Sequence, residues 1–177
     1  MSHAGSKSFI MLRLGSLYAV IALSLSACTG LGSLKYQRVA DGSPPQNLAK
    51  LPYGEYVKLE VSSTIDITRY LERSDREVVY VSAGLCPAAG EKDVKVIAFG
   101  PFESRHPQRY DIYLVAKNPE SHIRYSSTFL AEYSAYDLKR DRRDVCIRLS
   151  APGYPAAARS EELRVPAEVF SRNDNAE

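Results

Sequence analysis

Val57-Lys58-Leu59-Glu60-Val61-Ser62 decides the fold class of this chain. Apolar and polar residues alternate without a break, so one side of the segment suits a core and the other suits water. That period of two belongs to a half-buried strand. It returns at Tyr110, Ile112 and Leu114 within 110–116, and again at Val145, Ile147 and Leu149. Between these lie a β-branched and aromatic run at 77–82 (EVVYVS) and a run at 94–99 (VKVIAF), which Gly100-Pro101 is expected to stop. A longer strand is expected at 123–133, with Ile123, Tyr125, Phe129 and Tyr133 on one side, and a short last one at 163–165 is closed by Pro166. The exception to strand patterning is 66–73. There Asp66 is placed to cap a turn or two of helix and Ile67, Tyr70 and Leu71 share a face, although an extended stretch also fits. About seven short strands in about 120 residues predict an all-β fold, an antiparallel β-sandwich.

The architecture expected is immunoglobulin-like, but the residues stop short of membership in that family. An immunoglobulin disulfide crosses the core and packs on a tryptophan, and this chain has no tryptophan. Cys146 alternates with Val145, Ile147 and Leu149 and shares its side with Asp144 and Arg148. If the apolar trio faces the core, Cys146 points away from it. The corner position two residues before the second cysteine, a tyrosine in that family, is Asp144.

Ahead of the strands, Leu25-Ser26-Ala27-Cys28 ends an uncharged run over 14–27 whose apolar bulk is Leu17, Val20, Ile21, Leu23 and Leu25. Residues 1–13 carry Lys7 and Arg13 and no acid. The run is shorter than the ~20 apolar residues that span a bilayer, so it suits the apolar region of a signal peptide. The segment resembles the lipobox of bacterial lipoprotein precursors. That resemblance implies that residues 1–27 are removed as a signal peptide and that Cys28 carries a diacylglyceryl group on its thiol, with further acylation of its amino group. One acyl chain holds a protein to a membrane only marginally, whereas two or more hold it stably. The other reading is an ordinary secretory signal cleaved after Ala27, leaving Cys28 a free thiol. Thr29 is not aspartate, which in enteric-type sorting favours the outer membrane. Residues 28–50 hold Gly30, Gly32, Gly42, Pro44 and Pro45 without a sustained apolar period, and are expected to form a flexible tether. The sandwich is then expected over 51–170, followed by a polar tail at 171–177.

The resemblance changes the bulk numbers. The full chain carries 23 Lys and Arg against 21 Asp and Glu, and losing Lys7 and Arg13 leaves 21 against 21. A mature chain near neutrality has no overall charge for nucleic acid or another polyanion. With Cys28 acylated and the domain in an oxidising compartment, a Cys86–Cys146 disulfide is implied. Two buried free thiols are the alternative. No CxxC or HxxxH spacing supports zinc.

Little in the sequence points to catalysis. His106 lies in a turn and His122 follows Ser121 on an alternating strand, where neighbours cannot form a Ser–His pair. Glu161 and Glu162 are adjacent, not opposed across a cleft. No nucleophile elbow, HExxH, P-loop or EF-hand occurs, and no cofactor is expected. The densest charge run is 137–144, with Lys139, Arg140, Arg142 and Arg143 set among Asp137, Asp141 and Asp144. It reads as a solvated turn with internal pairing or as a recognition loop for an acidic partner. Phe102 and Arg105 in 100–109 form a second candidate contact. Among eleven tyrosines after the signal, Tyr80, Tyr110, Tyr113, Tyr125 and Tyr133 suit sheet packing, and Tyr136 and Tyr154 suit contact with a partner.

The function expected is that of a lipid-anchored cell-envelope protein facing the periplasm. It would act as a non-enzymatic binding or assembly module, such as an accessory subunit of an envelope machine or a periplasmic immunity protein. Its partners would be the membrane, through the lipid on Cys28, and an envelope protein. A carrier of a small apolar or sugar ligand is the alternative, and an envelope hydrolase a third reading.

Overall fold

Residues 30–40, 43–51, 53–88, 90, 94–104, 106–120, 122–125 and 130–171 are described by a computed structural model. Strand β1 (Leu34–Ala40) leads through a short helix α1 (Gln46–Ala49) to β2 (Tyr56–Ser63), and helix α2 (Ile67–Arg73) leads on to β3 (Tyr80–Leu85). Then come β4 (Val94–Val96), β5 (Ala98–Glu103), β6 (Arg109–Val115) and β7 (Lys117–Asn118). The chain continues through β8 (His122–Tyr125), β9 (Leu130–Tyr133) and β10 (Tyr136–Asp137). It closes with β11 (Val145–Ala151), β12 (Ala158–Arg159), β13 (Leu163–Val165) and α3 (Glu168–Ser171).

The result is an all-β antiparallel sandwich. One sheet has the order β1-β2-β6-β5, and the other has β4-β3-β11 with both β12 and β13 paired to the far edge of β11. Two small ladders, β7 with β10 and β8 with β9, stand beside them. The alternation that called for strands explains the packing. Leu59 and Val61 from β2, Ile112 and Leu114 from β6, and Val145, Ile147 and Leu149 from β11 are all fully buried. Each removes apolar surface from water at about 25 cal/mol per Å². The outer face of the first sheet carries ion pairs: Arg38 grips Glu60 through two hydrogen bonds of 2.8 and 3.0 Å, and Lys58 lies 2.9 Å from Asp111. The expected helix forms at 67–73. The Asp66 carboxylate caps it, accepting from Arg69 N–H at 2.9 Å, and buried Ile67 donates its N–H to the Tyr110 hydroxyl at 2.8 Å.

Three expectations about the course of the chain are corrected. The run at 94–99 is not one strand stopped by Gly100-Pro101. The chain changes sheets at Ile97, with β4 pairing β3 and β5 pairing β6 through to Glu103. The register shifts between Phe99 and Phe102, where Gly100 has φ +122° and an added Cβ would lie 2.8 Å from the Asp111 carbonyl oxygen. A bulge on an edge strand accepts a proline, because no ladder partner there demands an N–H. The stretch 123–133 is a hairpin of two strands, since Tyr125 pairs with Leu130; Phe129 lies outside the described residues.

The third correction concerns the tether. The compact unit begins at Leu31, not at residue 51. Leu31 and Leu34 belong to the core, and β1 pairs along β2 from Leu34 to Ala40. Gly32, with φ +65°, provides the turn that feeds Leu31 and Leu34 into the same core. Glycine and proline flank this strand, and in the sequence they conceal it.

Tyr136 is also corrected, because it is buried rather than available to a partner. Its hydroxyl accepts from Ile97 N–H at 3.0 Å and donates to the Val115 carbonyl at 3.2 Å, holding the point where the chain changes sheets. Tyr80, expected to pack within the sheet, is instead exposed. Replacing Tyr136 with Phe strands a buried N–H and is expected to cost about 1–3 kcal/mol in urea denaturation. A Tyr136→Phe protein as stable as the natural chain would show that this hydroxyl does not hold the crossing.

Candidate functional site

Strand β11 runs from one end of the sandwich to the other. Its first residue, Val145, follows the charge run 137–144, and its last, Ala151, enters the loop 152–157. The 137–144 turn is built by its own acids. Asp137 donates its N–H to Asp141 Oδ2 at 2.8 Å, and its carboxylate accepts from Lys139 N–H at 3.1 Å. Leu138 anchors the turn in the core. Internal pairing therefore accounts for Asp137 and Asp141, as one of the run's two readings expects, while Arg140 and Arg142 are exposed. The Arg140 side chain is 83% exposed even with Asp137 at 3.7 Å. Lys139 reaches Glu55 at 3.8 Å, and exposed Arg142 has φ +47°, an uncommon conformation outside glycine.

The disulfide Cys86–Cys146 is formed, with its Cα atoms 5.0 Å apart. It joins β11 to the end of β3 within one sheet. Cys146 pairs with Gly84 and Arg164 while its neighbours Val145 and Ile147 are fully buried, so the bridge lies on the outer face. Beside it opens a cavity of about 250 Å³ lined by Cys86, Pro87, Arg142, Arg143, Asp144 and Arg164. Arg143 donates to the Cys86 carbonyl at 3.0 Å, and Arg164 lies 2.5 Å from Asp144, which also accepts from Ala167 N–H at 3.0 Å. Three guanidinium groups thus line the opening, and that of Arg164 holds the Asp144 carboxylate. Such forks suit a bound carboxylate or phosphate. A larger groove of about 480 Å³ opens at the same end, where Val39, Tyr56, Val57 and Phe170 meet Glu55 and Lys139. The 137–144 turn borders both openings.

The candidates from sequence are therefore dispersed. Lys139, Arg140, Arg142 and Arg143 gather at this end. Tyr154, 97% exposed, stands at the other. Phe102 is half-buried on the outer face of the first sheet, its ring centroid 5.8 Å from that of Tyr113. Cys28 and Arg105 lie outside the described residues. Arg164 had no signal in the sequence, because β13 alone carries it to Cys146 across 17 intervening positions. His106 is exposed in its turn. Among the described residues, no group of three or more His, Cys, Asp or Glu is placed to hold a metal ion. Comparison of the chain with protein-family models, curated proteins and solved structures finds no match.

Two measurements test this end of the molecule. The Arg164 guanidinium, followed by the Ala167 N–H, holds the Asp144 carboxyl below the usual carboxylate range. A lowered folded-state value gives stability that is present above the ordinary value near 4 and is lost as pH falls through the lowered one. Asp144→Asn is expected to be less stable at neutral pH and to lose less stability between pH 5 and roughly pH 2, read from urea midpoints. Equal acid sensitivity in both proteins would rule this linkage out. Replacing both Cys86 and Cys146 with Ala is expected to cost about 2–4 kcal/mol, measured without reductant. An unchanged midpoint would mean that the bridge adds no stability.

Proposed function

We propose that this chain is a lipid-anchored cell-envelope protein that acts as a non-enzymatic binding module. In this reading the lipid on Cys28 holds the protein to the outer membrane, facing the periplasm. The sandwich offers its 137–144 end to an acidic surface on an envelope protein, as an accessory subunit of a larger machine or an immunity protein would. The observation that carries the binding half of this reading is the opening that Arg142, Arg143 and Arg164 line together with Asp144. The anchor rests on Leu25-Ser26-Ala27-Cys28 and its flanks.

We read the fold as immunoglobulin-like in architecture, because β1-β2-β6-β5 opposite β3-β11-β13 follows the A-B-E-D and C-F-G arrangement, with β4 added beside β3. The same-sheet disulfide departs from that family's inter-sheet bridge. A carrier of a small ligand is the second reading, favoured by the 480 Å³ groove with its Tyr56 and Phe170 walls. A copurifying small molecule displaced by substitutions at Tyr56 would select it.

The charge of the cavity gives the test. Arg142→Glu is expected to abolish crosslinked recovery of the envelope partner, and Arg148→Glu, on the outer face of β11, is expected to leave it intact. Equal recovery from both variants would reject the 137–144 end as the contact. Mass spectrometry of the mature protein is expected to find acyl chains on Cys28; an unmodified terminus there would reject the anchor.

A further inference from the structure

The described residues contain three exposed large hydrophobic side chains, Val78, Tyr80 and Tyr154, and all three gather at one end of the second sheet. Tyr80 pairs with Ser150, and Ser150 pairs with Arg159, so Tyr80, Ser150 and Arg159 form one row across β3, β11 and β12. Ser150 alternates with fully buried Leu149 and Ala151, which places this row on the outer face. Val78 precedes Tyr80 by two residues. The loop 152–157, with Tyr154 at its tip, joins β11 to β12 immediately beyond the row. The loop is held in place. Arg76 donates from Nη1 to the Ala151 carbonyl at 3.0 Å and from Nη2 to the Ala156 carbonyl at 2.9 Å, clamping both ends of the loop. Tyr154 is therefore presented to solvent by a pinned loop, with 97% of its surface open.

The entry of the chain into the domain lies beside this loop. Leu31 donates its N–H to the Arg159 carbonyl at 3.0 Å, and Glu161 donates to the Gly32 carbonyl at 3.0 Å. The entering chain thus runs in the same direction as 159–161, and traced backwards from Gly32 to Leu31 it heads toward Ala158 and the 152–157 loop. Leu31 is fully buried, so no slack remains after it. Cys28 precedes Leu31 by three residues, a reach of about 11 Å at full extension.

We propose that the end of the sandwich carrying Tyr154, Tyr80 and Val78 rests on the surface of a lipid bilayer. The inference depends on the acylated Cys28 of the proposed function and goes beyond it, because it assigns the domain an orientation. An anchor within about 11 Å of Leu31 holds this end at the depth of the lipid headgroups. Tyrosine suits that depth, since its ring enters the apolar boundary while its hydroxyl stays in water. Glu161 is exposed at the same end as Arg159, so the contact is interfacial rather than a basic patch on anionic lipid. The other end of β11, with Arg142 and its cavity, then stands about 20 Å farther from the membrane, at roughly 3.3 Å per residue. The anchor and the partner site occupy opposite ends of one strand.

The test uses the full-length acylated protein in phosphatidylcholine vesicles. Tyr154→Cys and Arg142→Cys variants each carry a fluorophore on the new thiol, and the vesicles contain lipid with a spin label at the headgroup. Quenching at position 154 is expected to exceed that at position 142 at least threefold. Mass spectrometry of the same preparation reports acylation of Cys28. Acylated protein with equal quenching at both positions, or with none at 154, would overturn the orientation while the anchor stands. Unacylated Cys28 in both variants would remove the anchor and this inference with it. A Tyr154→Asp substitution, with the label moved to Ala156→Cys, is expected to reduce quenching at 156 relative to the unsubstituted loop. No reduction would show that the anchor alone, without Tyr154, sets the contact.

Discussion

The inward row of β11 is the constraint on which the rest of the molecule depends. Val145, Ile147, Leu149 and Ala151 are all fully buried, and β11 pairs with β3 on one side and with β12 and β13 on the other. A one-residue slip would turn this row to water and bring Cys146, Arg148 and Ser150 into the core. Register is therefore set by burial. The disulfide, placed on the opposite face, secures a register that the core has already chosen. The same alternation puts Arg164 next to Cys146 and so completes the cavity that sequence spacing leaves incomplete.

The second constraint is the crossing at Ile97. A sandwich must pass its chain from one sheet to the other, and β4 and β5, which lie in different sheets, do so within one residue. At that point the Ile97 carbonyl still accepts from Val115 N–H, and the buried Tyr136 hydroxyl bridges the Ile97 N–H and the Val115 carbonyl, which do not meet directly. The Gly100 bulge follows three residues later and lets β5 resume pairing with β6. A tyrosine that looks like a surface contact in sequence is thus committed to the interior, and its commitment comes from the Ile97 N–H and Val115 carbonyl that it bridges.

Much of the fold was legible in the sequence where the period was clean. Residues 57–62, 110–115 and 145–149 form strands with the faces that alternation assigns, and Asp66 caps the helix it precedes. The pairing of Cys86 with Cys146 followed from the reading of Cys28 together with the cysteine count. Legibility failed where tertiary contact overrode local composition. The segment 31–40 carries too few apolar residues at regular spacing to announce a strand, yet Leu31 and Leu34 find the core. At 94–103 a glycine and a proline that usually end a strand sit in an edge bulge instead. In the site, the cations of 137–144 were visible as a run, but their division between two openings was not.

What the sequence by itself determined is the class of the fold, the inward and outward faces of its cleanest strands, and the cysteines available to pair, because these depend only on local period and composition. What the tertiary structure alone decided is the strand order, the burial of Tyr136, the addition of Arg164 to the arginines of 137–144, and the start of the domain at Leu31. Each of these brings together residues far apart in the chain. Their free energy comes from surfaces and backbone groups that meet only when the two sheets close, and no local period records that meeting.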